Sequence, residues 1–198
     1  MKIDKPTTKI IAGKYKGKTL ELPSLDVTRS SKARLKESLF NVLQFDIIDK
    51  IFIESFAGSG SIGLEAISRD AKRAYFIELD RSSYQILLKN CKAVDMEKCQ
   101  TVQANTFVQT PMILDFLRNS KDEIILYLDP PFDYRDGMDD IYEKTFVMIK
   151  NIEVDNIYMI IIEHISTLEL PEVLGKFSLN KTKQFGKSSL SYYTYTQE

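Results

Sequence analysis

From residue 51 onward the chain repeats one unit, a short apolar run followed by a turn and a longer helix-like stretch. The runs fall at residues 51–56, 74–79, 100–104, 124–129 and 157–163. Strands that alternate with helices in this way predict a parallel sheet covered on both faces. The first run leads into "FIESFAGSGSIGLEA", residues 52–66, where Gly58, Gly60 and Gly63 follow the G-x-G-x-x-G spacing. Glycines at a strand-to-helix turn let the backbone bend sharply and let a ligand approach it closely. Nicotinamide, flavin and methyl-donor sites all use this spacing, so the glycines alone leave the ligand open.

The flanks of this repeat differ from it. "KIIAGKYKGKTLEL", residues 9–22, alternates apolar and basic residues around Gly13 and Gly17 and predicts a short strand pair. "SKARLKESLFNVLQF" then sets Leu35, Leu39, Val42 and Leu43 on one helical stripe, with Ser31 as the expected N-cap and Lys32, Arg34 and Lys36 on the outer face. At the other end, "GKFSLNKTKQF" and "SSLSYYTYTQ" flank Gly186-Lys187 as a closing antiparallel hairpin. The expected organisation is a basic hairpin-and-helix extension at 1–45 and a doubly wound domain at 46–198.

Charge separates the two parts. The net charge of −1 over 198 residues hides a segment, 1–44, with ten Lys/Arg against four acids, which leaves the remainder acidic. A basic arm on an acidic body points to a polyanionic partner. Cys91 and Cys99 lack C-x-x-C spacing and accompanying histidines, which argues against both a disulfide framework and a zinc site. No run approaches the length of a membrane span, so the expectation is a soluble, cytoplasmic, metal-free monomer.

In a doubly wound sheet, ligands bind beyond the carboxyl ends of the strands where strand order reverses. Glu54, Phe56, Gly58 and Gly60 end the first strand, and Glu78 ends the second, 20 positions after Gly58. An acid there can accept hydrogen bonds from both hydroxyls of a ribose. The fourth strand ends in "LYLDPPFDY", residues 126–134, and Asp129-Pro130-Pro131-Phe132 resembles motif IV, [DNS]-P-P-[YFW], of methyltransferases that act on planar nitrogen. An exocyclic base amine donates its lone pair into the ring and is a poor nucleophile. Asp129 and the Pro130 carbonyl can each accept one N–H and aim that lone pair outward. Two prolines stiffen the turn, and Phe132 can stack on an extruded base.

The ordering "TRSSKARLKESLFN", "FAGSGSIGLEA", "FIELD", "DPPF" and "EH" resembles the small-subunit ribosomal RNA guanine-N2 methyltransferase family RsmD, from about residue 10 to the C-terminus. The resemblance implies a Rossmann-like class I fold, mostly parallel with a C-terminal antiparallel hairpin. It implies methyl transfer from S-adenosylmethionine to N2 of one guanine in 16S ribosomal RNA on an assembling 30S subunit. It also implies that Glu54, Phe56, Gly58 and Gly60 line the methionine end of the cofactor, that Glu78 holds the ribose and that Asn105 faces the adenine, unless Asn105 serves as a helix cap. Asp129, Pro130, Pro131 and Phe132 would carry the target amine and base, and Lys14, Lys16, Lys18, Arg29, Arg34 and Lys36 would meet RNA. The chain departs from the family's R-P-T-x-D-R at Arg29-Ser30-Ser31-Lys32-Ala33-Arg34, where the proline and the acid are missing.

Rival functions are a DNA adenine-N6 or cytosine-N4 methyltransferase, a non-catalytic RNA-binding assembly factor and a nicotinamide dehydrogenase. A DNA enzyme would need a target-recognition domain for which 198 residues leave little room. His164, the single histidine, is expected to be structural because the chemistry above needs no imidazole. Tyr192, Tyr193 and Tyr195 are expected to pack within a strand, and the two cysteines within the core.

Overall fold

The computed structural model describes residues 6–23, 29–131 and 140–196, without the side chains of 29–31. Eight strands form one sheet. They are β3 (Ile51–Ser55), β4 (Arg73–Glu78), β5 (Cys99–Gln103), β6 (Ile124–Leu128), β7 (Ile157–Ile165), β8 (Val173–Leu174), β9 (Phe177–Phe185) and β10 (Ser188–Tyr195). Their order is β5-β4-β3-β6-β7-β10-β9-β8. The first five in that order run parallel, and the remainder join antiparallel through β10 beside β7. All five expected internal strands are present, as is the closing hairpin. The two-residue β8 is too short to leave a periodic trace in the sequence.

The covering helices are α1 (Arg29–Val42), α2 (Ser61–Ser68), α3 (Arg81–Val94), α4 (Thr106–Leu117) and α5 (Ile141–Lys150). The central strands β3 and β6 are buried on both faces, which explains their near-continuous apolar sequence. Successive side chains alternate between two cores. Phe52, Ile125, Tyr127 and Ile161 pack with residues of α1, α2 and α3, whereas Ile53, Leu126, Leu128 and Ile160 pack with residues of α4 and α5.

The N-terminal strands, β1 (Thr7–Lys9) and β2 (Thr19–Glu21), form a sheet of their own. Pairing is limited to three residues on each side because Gly13 and Gly17 both adopt positive φ in the connection. Ile10 and Leu20 enter the same core as Leu35, Leu39, Phe40 and Leu43 of α1. The connection is fastened to α2 by the wholly buried Glu65, whose carboxylate accepts N–H bonds from Ile11 (2.7 Å) and Ala12 (3.0 Å) and from Arg69 Nε (2.8 Å). Ser31 lies inside α1, which begins two residues earlier, so it is not the N-cap.

Glu54 ties β3 to the helix that follows it. Its carboxylate is buried and accepts from the N–H of Gly63 at 2.7 Å and of Ile62 at 3.4 Å, in the first turn of α2. A Cβ at Gly63 would come within 2.5 Å of the Phe76 ring and 2.9 Å of Glu54 Oε2, so this third glycine serves close packing of helix on strand. Burial pushes the Glu54 carboxyl up to about 8, against the pull of those two amides.

Two outcomes are expected. Gly63→Ala should destabilise the fold by about 1–3 kcal/mol, the usual range for overpacking, and lower the urea midpoint with little change in slope. For Glu54, a folded value raised above the ordinary one means that the stability it confers is complete at low pH. That stability is lost as pH rises through about 8. The urea midpoint of Glu54→Gln, compared with the unaltered protein at each pH, should therefore move in favour of the variant between pH 5 and 8.5. A constant difference would contradict the assignment.

Candidate methyl-transfer site

Strand order reverses between the parallel neighbours β3 and β6, and the two strongest sequence motifs end these two strands. Ser55 pairs with Leu128, so Phe56 and Asp129 leave the sheet side by side, with the Asp129 N–H 3.4 Å from the Ser55 carbonyl. Phe56 takes φ 63°, a conformation that non-glycine residues rarely adopt and that marks a constrained turn. Gly58 follows at φ 52° with no atom within 4 Å of where a Cβ would stand, so its backbone faces open space. Its N–H donates to Glu78 Oε2 at 2.7 Å, while Glu78 Oε1 accepts from the Asp80 N–H at 2.7 Å. The acid expected to hold a ribose thus sits at the strand end and braces the glycine turn.

A cavity of about 250 Å³ opens above these strand ends. Glu54, Phe56, Ala57, Gly58 and Ser59 line one side, Asp129, Glu163 and Lys32 another, and Thr7, Thr8, Leu22 and Pro23 of the N-terminal hairpin close over it. The glycine loop and Asp129 therefore face one space. A separate groove of about 760 Å³ runs between α4 and α5, and Asn105 and Phe107 stand at its edge. Asn105 is the N-cap of α4, its Oδ1 accepting from the Phe107 N–H at 2.9 Å, so the cap alternative holds. Phe107 meets Phe56 edge to face with ring centres 5.7 Å apart, which gives the site an apolar wall beside Glu78's strand.

Asp129 keeps 29% of its side-chain surface and is paired. Lys32 Nζ, extending from α1, lies 3.1 Å from Asp129 Oδ2 and 2.6 Å from Glu163 Oε1. Glu163 on β7 is only 1% exposed, and its other oxygen accepts from Tyr127 Oη at 2.5 Å. Burial, then the neighbouring Glu163, pushes the Asp129 carboxyl up to about 7, while Lys32 pulls it down. Burial would lower the Lys32 ammonium, but the two carboxylates outweigh it and hold the value above the ordinary one.

Sequence reasoning missed Lys32, Glu163 and Tyr127. Lys32 stands where the chain leaves the family pattern, and an acid inside the apolar run "IYMIIIEHI" was a visible signal, overshadowed by its neighbour His164. His164 is structural as expected, with its two ring nitrogens 3.0 Å from the Ile165 carbonyl and 2.9 Å from Ser191 Oγ. Tyr192, Tyr193, Cys91 and Cys99 are buried. Tyr195 is partly buried, its hydroxyl donating to the Val154 carbonyl at 2.7 Å.

The basic residues divide. Lys14, Lys16, Lys18 and Arg34 are exposed. Lys36 is a correction: it is 4% exposed, its ammonium donates to the Lys9 carbonyl at 2.8 Å, and Glu65 lies 3.7 Å away. The helical stripe turns it inward to hold the hairpin, so it cannot meet phosphate from there. Phe132 and the side chain of Arg29 lie outside the described residues.

Known proteins resemble the chain over most of its length. The family model described as Conserved hypothetical protein 95 matches residues 8–194. The ribosomal RNA small subunit methyltransferase D of Escherichia coli is 32% identical over 96% of this chain and 90% of its own. That of Haemophilus influenzae is 38% identical over 67% and 70%. Among solved structures, the Escherichia coli protein yhhF superposes with a TM-score of 0.74 at 30% identity, covering 98% of this chain and all of that one. The architecture is the α/β methyltransferase fold, and the chain belongs to the RsmD family of ribosomal RNA small subunit methyltransferases.

Proposed function

We propose that the protein transfers a methyl group from S-adenosylmethionine to the exocyclic N2 amine of a guanine in 16S ribosomal RNA of the assembling small subunit, in the cytoplasm. The observation that carries this reading is that Asp129 and the open backbone of Gly58 line one cavity at the sheet's reversal point. The curated relatives named above are ribosomal RNA methyltransferases, and one neighbour with the same fold, at 14% identity and a TM-score of 0.63, was solved in complex with SAH.

The residues fit such a cofactor. Gly58 leaves backbone open to its methionine end, with Glu54 and Phe56 beside it, whereas Gly60 is buried against Leu87 and Phe76 and would serve the turn itself. Glu78 has acceptor oxygens for a ribose, and the Phe56–Phe107 wall suits an adenine. The cofactor supplies a methyl group already activated on a sulfonium. The chain's own task is to aim the amine. Asp129 and the Pro130 carbonyl accept its two N–H bonds, Pro131 stiffens the turn and Phe132 stacks on the base. As the nitrogen gains carbon it sheds one proton, and Asp129, with its raised pKa, is placed to take it. Lys14, Lys16, Lys18, Arg29 and Arg34 would meet RNA phosphate.

Methyl incorporation into small-subunit particles from cells lacking the protein, compared with naked duplex DNA, tests this function; label in DNA alone would favour the rival amino-methyltransferase. In the same assay Asp129→Ala should lower the rate by a factor on the order of 100 to 1000 with cofactor affinity nearly unchanged by calorimetry. Unaltered turnover would count against the mechanism. Charge reversal at Lys14, Lys16 and Lys18 should weaken RNA binding and flatten its dependence on salt. An unchanged salt slope would remove that loop from the RNA interface.

A further inference from the structure

One nitrogen, Lys32 Nζ, is held between Asp129 and Glu163 at the mouth of the site. An ammonium that donates to both carboxylates shows where a donor-bearing group fits, and both acceptors line the cavity that the glycine loop opens onto. Glu163 is fixed in that pose, because it is buried on β7 and Tyr127 Oη occupies its second oxygen. Lys32 is 37% exposed on a flexible stem and can give way toward solvent. The site therefore has one fixed acceptor, Glu163, beside a second, Asp129, and the donor they now share is replaceable.

We propose that Glu163 is the residue that selects guanine: when the base enters, its edge displaces the Lys32 ammonium, N2–H donates to Asp129 and the adjoining ring N1–H donates to Glu163. This rests on the guanine reading given above and extends it to the basis of choice. Only guanine presents a ring N–H beside its exocyclic amine. Adenine and cytosine present a ring lone pair there, which would face the buried Glu163 carboxylate oxygen with no hydrogen between the two. A site built to bond a substrate N–H rejects the analogue lacking it far more strongly than an apolar pocket rejects a change of size. Accepting the N1–H also draws electron density toward N2, so recognition and activation act in the same direction.

The test uses the full-length enzyme and small-subunit RNA whose methylated guanine has first been mapped, with that nucleotide replaced by 2-aminopurine or by 2,6-diaminopurine. Both analogues keep the 2-amine and turn N1 into an acceptor, and they differ at position 6. The unaltered enzyme should lose a factor on the order of 100 or more in kcat/KM on both. Glu163→Gln, whose amide can donate to N1, should narrow the ratio of guanine to analogue to within about tenfold while slowing guanine itself. Equal rates on guanine and both analogues, a loss that follows only the 6-substituent, or an unchanged ratio in a folded Glu163→Gln protein would overturn the proposal. Absence of any methylated guanine in the unsubstituted RNA would overturn the proposed function itself and is a distinguishable result.

Discussion

The pairing of β3 with β6 decides where everything else can stand. These strands are consecutive in space but not in sequence, and their shared register puts Ser55 opposite Leu128. Beyond that pair the chain leaves the sheet twice in the same direction, once into the glycine turn and once into Asp129-Pro130-Pro131. A slip of one residue would send Phe52 and Ile53 to each other's cores and carry Glu54 away from α2. Both strands are buried on both faces, so such a slip would force the apolar side chains of two cores to exchange places. The cores thus set the geometry of the site, although few of their residues touch it.

Three buried carboxylates fix the loops to this frame, each by a different means. Glu65 collects backbone N–H groups from the hairpin connection and the Arg69 side chain, with Lys36 close by. Glu163 takes the Tyr127 hydroxyl and the Lys32 ammonium. Glu54 has two amides, and burial raises its pKa. An unsatisfied buried carboxylate would be costly, so these groups bring separate segments into one arrangement.

The parallel sheet, the glycine turn and the closing hairpin were all legible in the sequence, because each rests on local periodicity or on turn chemistry within a few residues. The roles of charged residues were less so. Lys32, Arg34 and Lys36 fall within one helical turn and a half, and sequence spacing assigns all three to the outer face. Lys36 is instead drawn under the hairpin by the Lys9 carbonyl and Glu65, and Lys32 across the site mouth by two acids. These partners lie between 27 and 131 residues away along the chain, beyond the reach of any periodicity. Asn105 had two plausible local roles, and the Phe107 amide identifies the one it fills.

The same distribution of charge bears on how a polyanion would approach. The cavity is lined by Glu54, Asp129 and Glu163 with Lys32 and Lys36 among them, and Glu78 stands at the adjoining strand end. A phosphate group entering that space would meet acids. The exposed lysines of the β1–β2 connection lie elsewhere: Lys14 N–H donates to the Ser68 carbonyl at 2.7 Å, at the end of α2 remote from the glycine turn. Eight residues of helix separate the two ends, a distance of about 12 Å. On the proposed reading, attraction of the RNA backbone and handling of the base are thereby kept apart. The backbone is drawn to the basic tip, and the acidic cavity admits only a neutral, hydrogen-donating base swung out of its stack. A cavity lined by cations would bind the backbone more tightly, and phosphate would then compete with the base for the site.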